Sequence, residues 1–298
     1  MPLALPLLAS FLYAVGSWGL KCGLRRGAGS RIVTALSNLA MAGWSAPLIL
    51  FFTGQPHPDG FLAATLAGSS LFIGRFCAIQ ALSKGDLSHA TPILGTKTVF
   101  VALLTVLFLD EKVTPGLMGG AVLTSVAVAL LSLTHIPESR LSTPGKKMDP
   151  STTLWALAAA VFFAGTDIIV QKYARLTGVA WFQPVMFSTL ALLTPLLFLP
   201  MRSKPTPGGS SLPPPSRWPV LLGSGVIGFQ TSLVIFVIGI FGHATATNVV
   251  YATRGLWAVL LEGAAGGGAA STDRRILVLR LTGAALLLGA VALVVGSL

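Results

Sequence analysis

The chain has 298 residues, of which 53% are hydrophobic and 10% charged, and its mean hydropathy is +0.81. A soluble globular domain carries about 25% charged residues, so that class is excluded and a polytopic, all-α membrane protein is expected. The net charge of +11 calls for no nucleic-acid partner, because the cations are accounted for by where they fall between apolar runs.

Ten apolar runs follow one another along the chain, each near the ~20 residues that cross a bilayer as a helix. They cover 3–20, 32–52, 60–83, 88–109, 115–135, 152–171, 180–200, 218–241, 244–263 and 276–297. The first run is expected to belong to the fold rather than to a cleavable signal peptide. It lacks a basic start, and Phe11 to Lys21 recurs loosely as Phe162 to Lys172 at offset 151. Cys22 and Cys77 are expected to be small apolar fillers. Trp18, Trp44, Trp155, Trp181 and Trp218 fall near run ends, as interfacial anchors do. The polar stretch 136–150, with Pro137, Pro144 and Pro150, reads as a linker. Pro200 to Pro219, with the triplet Pro213 to Pro215, reads as a surface spacer loop. Ala121, Ser125 and Ala129 form a small-residue stripe suited to close packing against the tenth run or a second copy of the chain, a homodimer. His57, His89, His135 and His243 lie in or beside connections without metal-ligand spacing, and neither metal nor cofactor is expected.

The chain contains an internal duplication. Residues 85–104 and 242–261 align without a gap at offset 157, pairing Gly85 with Gly242, Thr96 with Thr253, Lys97 with Arg254 and Phe100 with Trp257. Pro47 and Pro195, at offset 148, sit late in the second and seventh runs, where each removes a backbone hydrogen bond and permits a kink. The expected organisation is a first five-helix repeat over 1–135, a linker over 136–150 and a second five-helix repeat over 151–298. Five is odd, so the second repeat enters the membrane in the opposite sense. Inverted repeats of this kind build transporters whose substrate site lies near the midplane.

Cations test the topology. Odd-numbered connections hold fourteen: Lys21, Arg25, Arg26, Arg31, Lys84, Arg140, Lys146, Lys147, Arg202, Lys204, Arg217, Arg274, Arg275 and Arg280. Even-numbered connections hold three, Lys112, Lys172 and Arg175, and Arg75, Lys97 and Arg254 lie inside runs. The positive-inside rule then makes odd loops cytoplasmic and puts both termini outside.

Segment Phe108 to Ser132, FLDEKVTPGLMGGAVLTSVAVALLS, resembles the fourth-to-fifth helix junction of EamA-type members of the drug/metabolite transporter superfamily. The resemblance implies ten helices in two inverted five-helix repeats over nearly the whole chain, a transporter rather than an enzyme, and export as its direction. It also implies cytoplasmic termini, opposite to the cation count. The second repeat departs from the motif: Glu262 is followed by Gly263 to Ala270 with no acidic-Thr-Pro turn.

Intramembrane polar residues carry the chemistry. A cation at the bilayer centre costs about 2.5 to 3.5 kcal/mol on insertion scales. Lys97 and Arg254 each fall about ten residues into their runs, roughly 15 Å deep. Thr96, Lys97 and Phe100 repeat as Thr253, Arg254 and Trp257, and Asn248 and Tyr251 extend the second set. Arg75 adds a third cation, where the second repeat has Ser232. The acids facing them are Asp167, a candidate proton-coupling group, and Glu262. More distantly similar triose-phosphate-type translocators use basic residues on the corresponding helices for anions. These residues point to a secondary transporter, multi-pass in the inner (cytoplasmic) membrane, for a small anionic or zwitterionic metabolite. The alternatives are a lipid or polyprenyl-phosphate carrier flippase of the same fold, in which the cations grip a phosphate headgroup, and a membrane-embedded enzyme. For an enzyme the sequence offers no Gly-x-Ser-x-Gly and no paired intramembrane aspartates.

Overall fold

A computed structural model describes residues 3–51, 58–84, 92–109, 114–133, 150–199, 211–264 and 274–297. Its regular structure over these residues is entirely helical. In chain order the helices are α1 (Ala4–Arg25), α2 (Ser30–Ser45), α3 (Pro58–Lys84), α4 (Lys97–Phe108), α5 (Pro115–Leu133), α6 (Pro150–Thr177), α7 (Val179–Leu193), α8 (Pro214–Phe241), α9 (Ala244–Tyr251), α10 (Arg254–Ala264) and α11 (Arg274–Val295). Among the described residues eight helices are long and apolar enough to cross a membrane: α1, α2 with its 3-10 extension, α3, α5, α6, α7 with its extension, α8 and α11. Over the described part of the fourth expected run, residues 92–108 are apolar and helical apart from a turn at Thr96, and 244–264 is two helices rather than one.

Repeat-matched positions behave alike. The two prolines convert α-helix into 3-10 helix, α2 giving way to Ala46–Phe51 at Pro47 and α7 to Thr194–Phe198 at Pro195. An imino nitrogen has no hydrogen to give the preceding turn, so the ladder tightens there. Gly27 and Gly178, paired at offset 151, reverse the chain with φ of +91° and +85°. Those values favour a residue without Cβ.

The chain forms two compact units, each drawing on both halves of the sequence. The first comprises Met1–Phe72 and Ile169–His243, the second Ile73–Ile168 and Ala244–Leu298. Helices α3 and α6 each contribute a segment to both.

In the first unit α1 packs along α8 and α2 packs against α7 and α8. Small residues let the backbones approach: a Cβ on Gly223 of α8 would stand 2.8 Å from the Leu20 backbone nitrogen and 2.9 Å from the Gly16 carbonyl oxygen of α1. Neither backbone atom can move aside, whereas Gly225, two residues along, has nothing within 4 Å of the same position. Gly223→Ala is therefore expected to lower the thermal midpoint by an overpacking cost of about 1–3 kcal/mol. Gly225→Ala should leave the midpoint unchanged or raise it, so equal loss in both would remove the close-approach explanation. Polar pairs add specificity: Asn38 Nδ2 donates to Thr194 Oγ1 at 2.9 Å, and Trp44 Nε1 to the Gly225 carbonyl at 3.0 Å.

In the second unit α5 packs on α11 and α4, and α9 contacts α4, α5 and α11. Ala127 and Leu131 of α5 bury against Leu287 of α11 and Ala252. Gly116 and Gly120 make the close approach to α11, a Cβ on Gly120 meeting the Val294 side chain at 2.7 Å. The Ala121–Ser125 stripe turns elsewhere. Thr98 Oγ1 donates to the Ala121 carbonyl at 3.2 Å and lies 2.9 Å from Ser125 Oγ, which donates to the Gly95 carbonyl at 3.2 Å. The Ala121 carbonyl and the Ser125 side chain of that stripe are thus hydrogen-bonding surface for the α4 segment, while Gly116 and Gly120 approach α11.

Three further expectations change. The spacer expected over 200–219 ends early, because α8 begins at Pro214, and prolines in a first turn lack only N–H groups that would have no helical partner. Arg280 lies within α11 rather than in the preceding connection. Trp181 is buried against Phe61 instead of standing at an interface, whereas Trp18, Trp44 and Trp218 are exposed. The linker 136–150, apart from Pro150, and the acidic-Thr-Pro turn over 110–113 lie outside the described residues.

Candidate functional site

Both helices that carry the matched cations are interrupted immediately before the cation. Helix over 92–95 stops at Thr96 and resumes as α4 at Lys97, and α9 stops at Tyr251 and resumes as α10 at Arg254. The interruptions are built the same way at offset 157. Thr96 Oγ1 donates to the Ile93 carbonyl at 2.6 Å, and Thr253 Oγ1 to the Val250 carbonyl at 2.7 Å. The Thr96 carbonyl accepts from Val99 N and Phe100 N, as the Thr253 carbonyl accepts from Leu256 N and Trp257 N. A threonine hydroxyl that bonds back three residues competes with the helical ladder, which is how the residue loosens a helix. Each cation consequently opens a new helix, at the end where the helix dipole is positive.

Around Lys97 the charge is answered. Its Nζ lies 2.8 Å from Asp167 Oδ2, with Lys97 19% exposed and the Asp167 side chain 5%. Asn248 Nδ2 donates to the same oxygen at 2.6 Å and to the Ala244 carbonyl at 2.9 Å. Three helices, α4, α6 and α9, thus converge on one carboxylate oxygen in the second unit. The spacing of Asn248 within α9 lets its amide hold its own helix and the acid together.

Around Arg254 the neighbour is aromatic. Its guanidinium lies over the Tyr251 ring, 4.5 Å from the centroid, the tyrosine being buried. A cation over an aromatic face contributes about 0.5–2 kcal/mol, more as water is excluded. Trp257 lies one turn later in the same helix, α10. The face of α4 that buries is Thr98, Val101, Ala102 and Thr105, while Phe100 is half-buried. Arg75 is half-buried on the second-unit part of α3 and makes contacts of its own there. The Glu262 side chain lies outside the described residues.

The sequence reading brought together Lys97, Asp167, Asn248, Arg254 and Tyr251, and the second unit contains them all. It missed the helix breaks. Their available signal was Gly95-Thr96 and Ala252-Thr253, pairs of helix-weakening or small residues ahead of a charge.

Residues 2–133 match the sequence model of the EamA-like transporter family. A protein known from its crystal structure superposes with a TM-score of 0.72 at 16% identity, covering 98% of this chain and 95% of that one. Likeness at that identity establishes a shared fold. No curated protein sequence matches the chain. The apolar helices and the family match over residues 2–133 together support a multi-pass membrane protein.

Proposed function

We propose, for a chain whose residues 2–133 belong to the EamA-like transporter family, that it is a secondary transporter for a small anionic or zwitterionic metabolite, working as an exporter by alternating access between two inverted five-helix repeats. The observation that carries the reading is the pair of cations opening helices at two matched breaks, one of them held by a buried carboxylate.

Register supports a shared depth for the two cations. Thr105 Oγ1 lies 3.4 Å from Thr245 Oγ1, so the end of α4 meets the start of α9, which fits an antiparallel pairing. Eight residues back from Thr105 is Lys97, and eight residues on from Thr245 is Thr253, next to Arg254. Broken helices whose N-termini face a substrate are how inverted-repeat transporters hold anionic groups. Arg254, with Tyr251, Thr253 and Trp257 beside it, receives the negative group first. Lys97, with Thr96 and Phe100 beside it, joins when Asp167 takes up a proton and releases it, which makes Asp167 the coupling group. Arg75 sets the positive potential of the second unit, and Asn248 holds the acid in place.

The reading is tested in proteoliposomes. Labelled carboxylates and amino acids should cross against their own gradient exchange, while fluorescent phospholipid and polyprenyl phosphate stay in their leaflet. Lipid movement without solute movement would replace this reading by a flippase.

For orientation the cation count leads, giving cytoplasmic odd loops and external termini in the inner membrane. Single cysteines placed beside Arg26 and beside Lys146 are expected to resist an impermeant maleimide added outside whole cells. Efficient labelling at both reverses the orientation.

A further inference from the structure

The first unit contains a second polar cluster, uncharged and remote in the sequence from the residues above. Thr65 Oγ1 on α3, Gln183 Oε1 on α7 and Ser232 Oγ on α8 are all shielded and have no hydrogen-bond partner among the described residues. Gln183 is 1% exposed and Ser232 7%. The Gln183 amide has its direction fixed, because Nε2 donates to the Ser232 backbone carbonyl at 3.1 Å. Its oxygen is therefore what the cluster receives. That same bond places Gln183 and Ser232 side by side. Thr65 is brought level with them by the pairing of α3 and α7: Phe61 lies against Trp181, and Gly68 against the Met186 carbonyl.

A fourth oxygen belongs to the backbone. Pro184 lies inside α7 and has no N–H to give the carbonyl of residue 180, one turn earlier. Ala180 thus offers a carbonyl without its helical donor, aimed along α7 toward the Gln183 turn. Two hydroxyls, an amide oxygen and a carbonyl are all hard oxygen donors, and no carboxylate stands among them. An unsatisfied buried oxygen is costly, so the three side-chain oxygens on three packed helices call for an occupant, with the Ala180 carbonyl as an adjacent donor. A divalent ion needs charged ligands, whereas neutral oxygens alone suffice for a monovalent one.

We propose that Thr65, Ala180, Gln183 and Ser232 form a sodium site in the first unit, the transporter's second coupling ion. It goes beyond the anion reading and does not depend on it.

The test uses the purified full chain with sodium itself as the probe. Its melting midpoint is followed as NaCl rises and choline chloride falls at constant ionic strength. A saturable rise with sodium and none with choline is expected. Gln183→Leu and the isosteric Thr65→Val should each weaken the apparent sodium affinity about tenfold or more, one lost ligand being equivalent to at least 1.4 kcal/mol. Lys97→Met should keep the sodium response, which separates this site from the anion site. Equal midpoints in sodium and choline, the result for a buried water, would overturn the proposal. So would a wild-type sodium response in Thr65→Val, which decides the matter if Gln183→Leu does not fold.

Discussion

Lys97→Met is expected to be the most damaging single change to stability in the second unit, and adding Asp167→Asn to it should restore much of the loss. The reason is an asymmetry in buried ion pairs. With Lys97 in place, Asp167 Oδ2 has an ammonium at 2.8 Å and the Asn248 amide at 2.6 Å. Removing the ammonium leaves a carboxylate, 5% exposed, with the Asn248 amide as its partner among the described residues. Breaking one side of such a pair costs about 3–5 kcal/mol, whereas replacing both sides by neutral groups is often close to neutral. Thermal melting of the wild type, both single variants and the double variant reads this directly. Equal loss in Lys97→Met and in the double variant would mean that Lys97 contributes packing through its stem rather than charge.

What was legible in the sequence follows from which physical signals are local. Hydropathy located the eight long apolar helices because a bilayer demands about 20 apolar residues of any helix that crosses it. The offset that pairs Thr96 with Thr253 was legible because both copies kept the same residue types, and the hydrogen bonds of the two threonines repeat with it. Pro47 and Pro195 were legible for the same reason: a missing N–H acts on its own helix whatever surrounds it. Partnership was not legible in this way. Nothing local to Asp167 indicates that it meets Lys97 and Asn248, which lie 70 and 81 residues away along the chain. Nor does an apolar run show which of its residues pack together. Ala121 and Ser125 were spaced for a helix–helix seam, yet Ser125 bonds across to Thr98 while Gly116 and Gly120 meet α11. The stacking of Arg254 on Tyr251 was within reach of periodicity, since the two lie three residues apart in one polar set, whereas the break at Ala252–Thr253 between them was not.

The largest functional effect is expected at the two cations. A charge-assisted hydrogen bond contributes about 1.5–3 kcal/mol, so losing either cation should reduce transport by an order of magnitude or more. Arg254→Met is the cleaner variant, because Lys97→Met also disturbs the pair with Asp167. Asp167→Asn should act differently: it leaves the cations in place but removes the proposed coupling group, so transport should lose its pH dependence rather than its substrate.

Solute flux through proteoliposomes reconstituted with wild type, Lys97→Met, Arg254→Met and Asp167→Asn at matched protein density, measured across a range of pH, tests the anion site most directly. The account predicts at least a tenfold loss of flux in both cation variants and a flattened pH profile in Asp167→Asn. Wild-type flux from folded, membrane-inserted Lys97→Met and Arg254→Met would contradict it, leaving the cations as structural parts of two broken helices.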